Sequence, residues 1–221
     1  DIDEDLDGTG YTRKEFLLKL KFPAEKVTGD HERSGPATRS GDFTEILVSD
    51  YLEYILNYYV PRTRYAYKVN PNMSENGSDT FGFKISPDGN SRQDELTIFE
   101  VKARLTGTRP VNQLQTAVDD SSKDSVRFSE TLNAAKQRLK LRSDRAGVNT
   151  VKRFQNPTDN PYIYTSGAAT VLVDGMYSIN ELSKTDTSNH SNNTNLKLLV
   201  IKGGELMDLV HKLYEVAANE A

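Results

Sequence analysis

No cysteine occurs among the 221 residues. Disulfides, thiolate zinc sites and a cysteine nucleophile are therefore excluded, and the usage fits a reducing, cytoplasmic setting. Histidine is almost as scarce. His31, His190 and His211 stand far apart, so no close-spaced pair is offered to zinc. Any bound metal is expected to be a hard ion held by oxygens. No apolar run is long enough to cross a bilayer and no secretory signal is visible, so no membrane partner is expected. Basic charge is also in deficit. The net charge of −4 disfavours unaided capture of nucleic acid by bulk electrostatics.

What is present supports one hydrophobic core. Two regions are expected: an acidic, irregular N-terminal segment over 1–40 and a catalytic-type domain over 41–221. Within the first, Asp3, Asp5, Asp7 and Gly8 imitate the start of a calcium loop. Lys14 occupies the place where such a loop needs its bidentate glutamate, so a flexible acidic segment is the expectation. Positive charge concentrates elsewhere, at Lys136, Arg138, Lys140, Arg142, Arg145, Lys152 and Arg153, with Asp144 as the one acid inside the run. This cluster reads either as a phosphate-neutralising surface or as a solvated helix face.

Periodicity and punctuation give the element order. Tyr11 to Phe22 reads as a short helix or loop and His31 to Gly41 as a loop. A helix is expected over Asp42–Tyr59, halted by Pro61. Strands are expected over Arg62–Asn70, Asp79–Ile85 and Glu95–Leu105, the last two joined by a hairpin loop with Asp88-Gly89 as its turn. Helices follow, one opened by Pro110 and carrying Gln113 and Gln115, another capped by Ser129 and reaching Leu141. Then come a strand over Ala168–Asp174, a polar mobile loop over Asn180–Asn195, a strand over Leu196–Ile201 broken by Gly203-Gly204, and a helix over Glu205–Ala218. The fold class is α/β (α+β): a mixed central sheet flanked by helices.

One strand carries the chemistry. Alternation along ELTIFEVKARL sets Glu100, Lys102 and Arg104 on the face of Ile98, while Phe99, Val101 and Ala103 face apolar surroundings. Asp79 opens the preceding strand, so a hairpin brings Asp79 and Glu100 together. Two adjacent carboxylates repel, and a divalent cation between them removes the conflict. Mg²⁺ (or Mn²⁺) takes one or two carboxylates plus phosphate oxygens and water. Lys102 is placed to stabilise charge in a phosphoryl transition state. The bland alternative is a surface ion pair between Glu100 and Lys102. Glu45 strengthens the chemical reading. It lies on the apolar flank of its helix with Leu52 and Leu56, where a carboxylate needs a partner: a metal, or structurally Lys102 or an arginine. Gln113, Gln115 and Arg104 are candidates to contact substrate phosphate, with solvent-facing residues as the alternative.

Glu45, Gly77-Ser78-Asp79 and Glu100-Val101-Lys102, followed by a glutamine on the next helix, resemble the PD-(D/E)xK nuclease superfamily. Ser78 stands where the motif name has proline. The runs SGDFTEILVSDYLE, VPRTRYAYKVNPN, GSDTFGF and IFEVKARL look most like the HamA nuclease effectors of Hachiman anti-phage defence, over roughly residues 10 to 145. That resemblance implies a restriction-endonuclease-like core and a Mg²⁺-dependent DNase with Asp79, Glu100 and Lys102 catalytic and Asp79, Glu100 and Glu45 on the metal. It also implies a HamB-like helicase partner and restraint until foreign or damaged DNA is sensed. The alternatives are a stand-alone restriction or repair endonuclease and an inactive nuclease-like binding module.

Overall fold

The computed structural model describes residues 2–26, 35–65, 68, 70–74 and 77–220. Two short N-terminal helices, α1 (Ile2–Leu6) and α2 (Arg13–Phe16), precede the long α3 (Gly35–Asp50). The strands and helices that follow are β1 (Thr80–Lys84), β2 (Glu95–Arg104), α4 (Gln113–Ser121), α5 (Asp124–Leu141) and α6 (Arg145–Phe154). The chain closes with β3 (Ile163–Val173), α7 (Ile179–Leu182), β4 (Leu196–Gly203) and α8 (Leu206–Glu220). The strands form one four-stranded sheet in the order β1-β2-β3-β4. The β1–β2 hairpin is antiparallel, and β2–β3 and β3–β4 are parallel. This is the mixed, helix-flanked α/β architecture expected from the element order.

The period of two along β2 decides which helices cover which face. Leu96 and Ile98, with Phe83 of β1, pack under Leu132 and Leu139 of α5 and Val148, Val151 and Phe154 of α6. Farther along the same face, Ala168 and Leu172 of β3 meet Leu114, Ala117 and Val118 of α4. The opposite face carries Phe99, Val101 and Ala169 against Val48 and Leu52 of α3. Val171 and Leu105 there meet Leu206 and Val210 of α8. Gly167 is needed at the centre of this face, because a Cβ there would sit 2.3 Å from the Phe99 ring. The result is a three-layer α/β/α stack, with β2 buried on both sides over most of its length.

Several boundaries differ from the sequence expectation for identifiable reasons. α3 begins at Gly35, not Asp42, and its last turns, Tyr51–Ile55, widen to π geometry before Pro61. Of the expected His31–Gly41 loop, 31–34 lie outside the described residues and the rest is helix. The expected strand over Arg62–Asn70 is absent among its described residues. Its Arg62 takes a positive φ of 47°, which breaks an extended run, and Arg64 and Lys68 turn inward to pair with Glu45, Asp79 and Asp42. α5 starts at Asp124, so Ser129 lies inside a helix instead of capping it. α6 was not expected; Asp144 caps it by accepting from the Gly147 N–H at 2.8 Å. The polar stretch 180–195 forms short helical turns and is hydrogen-bonded to the rest of the fold. Ser178 caps α7, the His190 ring meets Ser121 Oγ at 2.9 Å, and Asn192 Nδ2 donates to Tyr164 O at 3.2 Å. Asn, Ser and Thr supply the hydrogen bonds that an apolar segment would lack.

The acidic start is helical, and no calcium loop forms: Asp3 pairs with Arg13 and Asp5 with Lys21. Phe16 and Leu17 are buried, and the Phe22 ring meets Tyr214 of α8 edge-on at 5.1 Å. Among the described residues no helix is long and apolar enough to cross a membrane.

Candidate active site

Gly77-Ser78-Asp79 is the turn that feeds β1. Gly77 has φ +106°, a conformation that side-chain-bearing residues rarely adopt. Ser78 is buried and tied to α5, its N–H donating to Thr131 Oγ1 at 3.1 Å. The turn thereby fixes the direction in which Asp79 leaves the backbone. Thr80 pairs with Phe99, so the next step of the antiparallel register sets Asp79 opposite Glu100. The Asp79 carboxylate reaches the central strand itself, accepting from the Val101 N–H at 2.8 Å. Asp79 is thus anchored on β2 at Val101, between Glu100 and Lys102, whose side chains bond to each other.

The ammonium of Lys102 is clamped. Its Nζ lies 2.6 Å from Glu100 Oε1 and 2.7 Å from Asp120 Oδ2 of α4. Burial pulls this ammonium down, but the bonds to Asp120 and Glu100 outweigh it and hold it above the ordinary lysine value. Asp120 is held below the usual carboxylate range by Lys102 first and Lys123 second.

A second cation sits on the other side of Asp79. Arg64 places Nε 2.9 Å from Glu45 Oε2 and Nη2 3.4 Å from Asp79 Oδ1, and donates through Nη1 to Ser78 O. Tyr65 donates its hydroxyl to Glu45. Burial, then the charge of Asp79, pushes Glu45 up to about 8. Burial also raises Asp79, against the opposing pull of Arg64, the Val101 N–H and Lys102. Glu45 and Lys102 belong to different layers, since α3 covers the Phe99 face and α4 the Glu100 face. Asp79, at the edge between them, is the residue both groups share.

The remaining candidates fall outside this knot. Arg104 Nε donates to Gln113 Oε1 at 3.2 Å, and this pair is exposed. Gln115 is committed to the 180s segment, donating to Asp186 O at 3.1 Å and accepting from Asp186 N at 2.7 Å. In the basic cluster, Arg153 is bound to Asp94 and Lys136 to Gln155, while Lys140, Arg145 and Lys152 are exposed.

Two members were missed by sequence reasoning. Arg64 was assigned to a strand that does not form. Asp120 flanks the buried α4 stripe of Leu114, Ala117, Val118 and Ser121, and that periodicity was the signal available for it. Among the described residues no three histidine, aspartate or glutamate side chains converge as a ready metal cage. Asp79 and Glu100, facing each other across the extended β1–β2 register, are oxygen donors of the type a hard ion takes.

The family profile of HamA matches residues 1–217. The chain belongs to the HamA family. Membership makes this HamA protein a component of Hachiman defence. No curated protein matches it significantly. The family match extends beyond the motif-bearing part, through β3, β4 and most of α8, so all layers that surround Asp79 belong to the matched region.

Proposed function

We propose that this HamA protein is a metal-dependent deoxyribonuclease with a PD-(D/E)xK-type centre, working as the effector of a helicase-coupled anti-phage system. The observation that carries the reading is the anchoring of Asp79 on β2 at Val101, between Glu100 and Lys102. Asp79 and Glu100 would hold Mg²⁺ or Mn²⁺, and Glu45, joined to Asp79 through Arg64, is proposed as a further acid for the metal. When bound, such an ion supplies Lewis-acid polarisation of the phosphodiester.

The chain's own residues do the rest. Lys102, fixed between Glu100 and Asp120, presents a permanent positive charge that can orient the attacking water or stabilise charge building on the phosphate. Asp120 is a positioning residue that holds the ammonium in register with β2. Arg104 and Gln113 form an exposed pair available to the DNA backbone, and Gln115 braces the segment beside them. The low net charge fits a nuclease that receives DNA from a HamB-like partner instead of capturing it alone.

One observation favours a second reading, a nuclease-like module without activity: Glu45, Asp79, Glu100 and Asp120 all already pair with arginine or lysine. The experiment that decides is incubation of plasmid and linear DNA with the chain, alone and with its co-encoded helicase, with and without Mg²⁺. Mg²⁺-dependent cleavage lost in Glu100→Ala supports the nuclease. Intact DNA under every condition supports the module.

A further inference from the structure

Arg64 is an unusual neighbour for a metal centre. Its guanidinium is largely buried and spends donors on the Glu45 carboxylate, the Asp79 carboxylate and the Ser78 and Gly77 carbonyls. Two of those acceptors are acids that the proposed nuclease reading assigns to the metal edge. A guanidinium and a dication compete for the same carboxylate oxygens, because both are satisfied by the same lone pairs. Arg64 also comes from the irregular stretch 61–65, which makes no strand ladder, so its backbone is not locked to the sheet as Lys102 is. Beside it lies a cavity of about 210 Å³ whose wall is mostly apolar, with Ile46, Val60, Pro61 and Phe81 alongside Thr63 and Asp79.

We propose that Arg64 is an internal plug: it occupies the acids of the centre in the resting chain and must release them before Asp79 and Glu45 can serve a divalent cation. This rests on the nuclease reading for the identity of the metal acids, and adds that the resting fold holds its own competitor. With Arg64 withdrawn, Asp79 and Glu45 face each other without an intervening cation, which restores the electrostatic demand for a dication at the sheet edge. The displaced guanidinium retains a use, since a bidentate arginine is a strong partner for a DNA phosphate. Metal binding and phosphate binding would then reinforce each other through one side chain.

The test is titration of Mn²⁺ by calorimetry into the full chain, as wild type, Arg64→Gln and Asp79→Asn, without DNA. Removal of the competitor is expected to tighten Mn²⁺ binding by about tenfold or more, within the range of ordinary site-to-site coupling, while Asp79→Asn abolishes it. Wild-type binding that depends on Asp79 but is unchanged or weakened in Arg64→Gln overturns the plug and leaves the metal centre standing. No binding by any of the three removes the metal reading itself. Should Arg64→Gln not fold, arginine Nε–H resonances of the wild type answer the question. One signal, assigned by Arg64→Lys, must shift on Mg²⁺ addition and stay unmoved in Asp79→Asn; an Arg64 signal insensitive to Mg²⁺ in a wild type that binds the ion overturns the proposal.

Discussion

Replacing Lys102 by methionine keeps the aliphatic stem and deletes the ammonium that joins β2 to α4. The loss can be sized from the contacts. Nζ sits 2.6 Å from Glu100 and 2.7 Å from Asp120, with side-chain exposures of 23% for the lysine, 9% for Glu100 and 30% for Asp120. The Asp120 contact is open enough to solvent to be worth little. Glu100 is the costly partner, because its carboxylate stays in a mostly dry place with a bond unmade. That amounts to about 1–3 kcal/mol, which lowers Tm by roughly 2–12 °C in a chain of this size. Divalent metal should restore part of the loss, since it gives Glu100 a new partner, and it should raise the Tm of Lys102→Met more than that of wild type. DNA cleavage should fall by about 10²–10³, the usual result of removing one group that stabilises developing charge. The assays are thermal unfolding with and without Mn²⁺ and plasmid cleavage in Mg²⁺. Cleavage at the wild-type rate refutes the role given to Lys102. An unchanged Tm refutes the burial argument that accompanies it.

Other consequences are equally open to measurement. Glu45 is raised to about 8 by burial and Asp79, so the folded chain binds its proton more tightly than the unfolded chain does. Stability of the metal-free protein should fall as pH rises from about 4.5 to 8 and level off above that; Glu45→Gln should flatten this slope, and an unchanged Tm–pH profile in that variant contradicts the assignment. Gly77→Ala forces a side chain into a backbone at φ +106° and toward Thr131 Oγ1, at an expected cost of about 1–3 kcal/mol. It should also weaken metal binding through Asp79, and a wild-type melting temperature would remove the special role of this turn. Reversing Arg138, Lys140 and Arg142 to glutamate should weaken DNA or helicase binding and reduce the salt dependence of that binding. No change in either returns this face to a merely solvated role.

How much of this could be read from residues alone differs by element. Period-two alternation in ELTIFEVKARL located Glu100 and Lys102 on one face, because β2 is buried on both sides and its pattern is therefore strict. The Asp88-Gly89 turn fixed the hairpin and, through its register, the approach of Asp79. The burial of Glu45 followed from its place on an apolar helix flank, and an arginine was among the partners weighed for it. Which arginine was not legible. VPRTRYAYKV alternates like a strand, and only the tertiary demand of Glu45 and Asp79 for a cation turns Arg64 inward. The same kind of long-range pairing hid Asp120: the α4 periodicity sets it beside the buried stripe but does not name Lys102 as its partner. The polar 180s segment misled for a related reason: its hydrogen-bond partners lie on α4 and β3, far away in sequence.

The most direct test of the metal centre is anomalous diffraction from crystals of the chain soaked in Mn²⁺. The account predicts a manganese peak bonded to the carboxylates of Asp79 and Glu100 at the junction of the Gly77 turn with β2. A fully soaked crystal with that junction empty, Arg64 still on Asp79 and manganese bound elsewhere or nowhere, would contradict it.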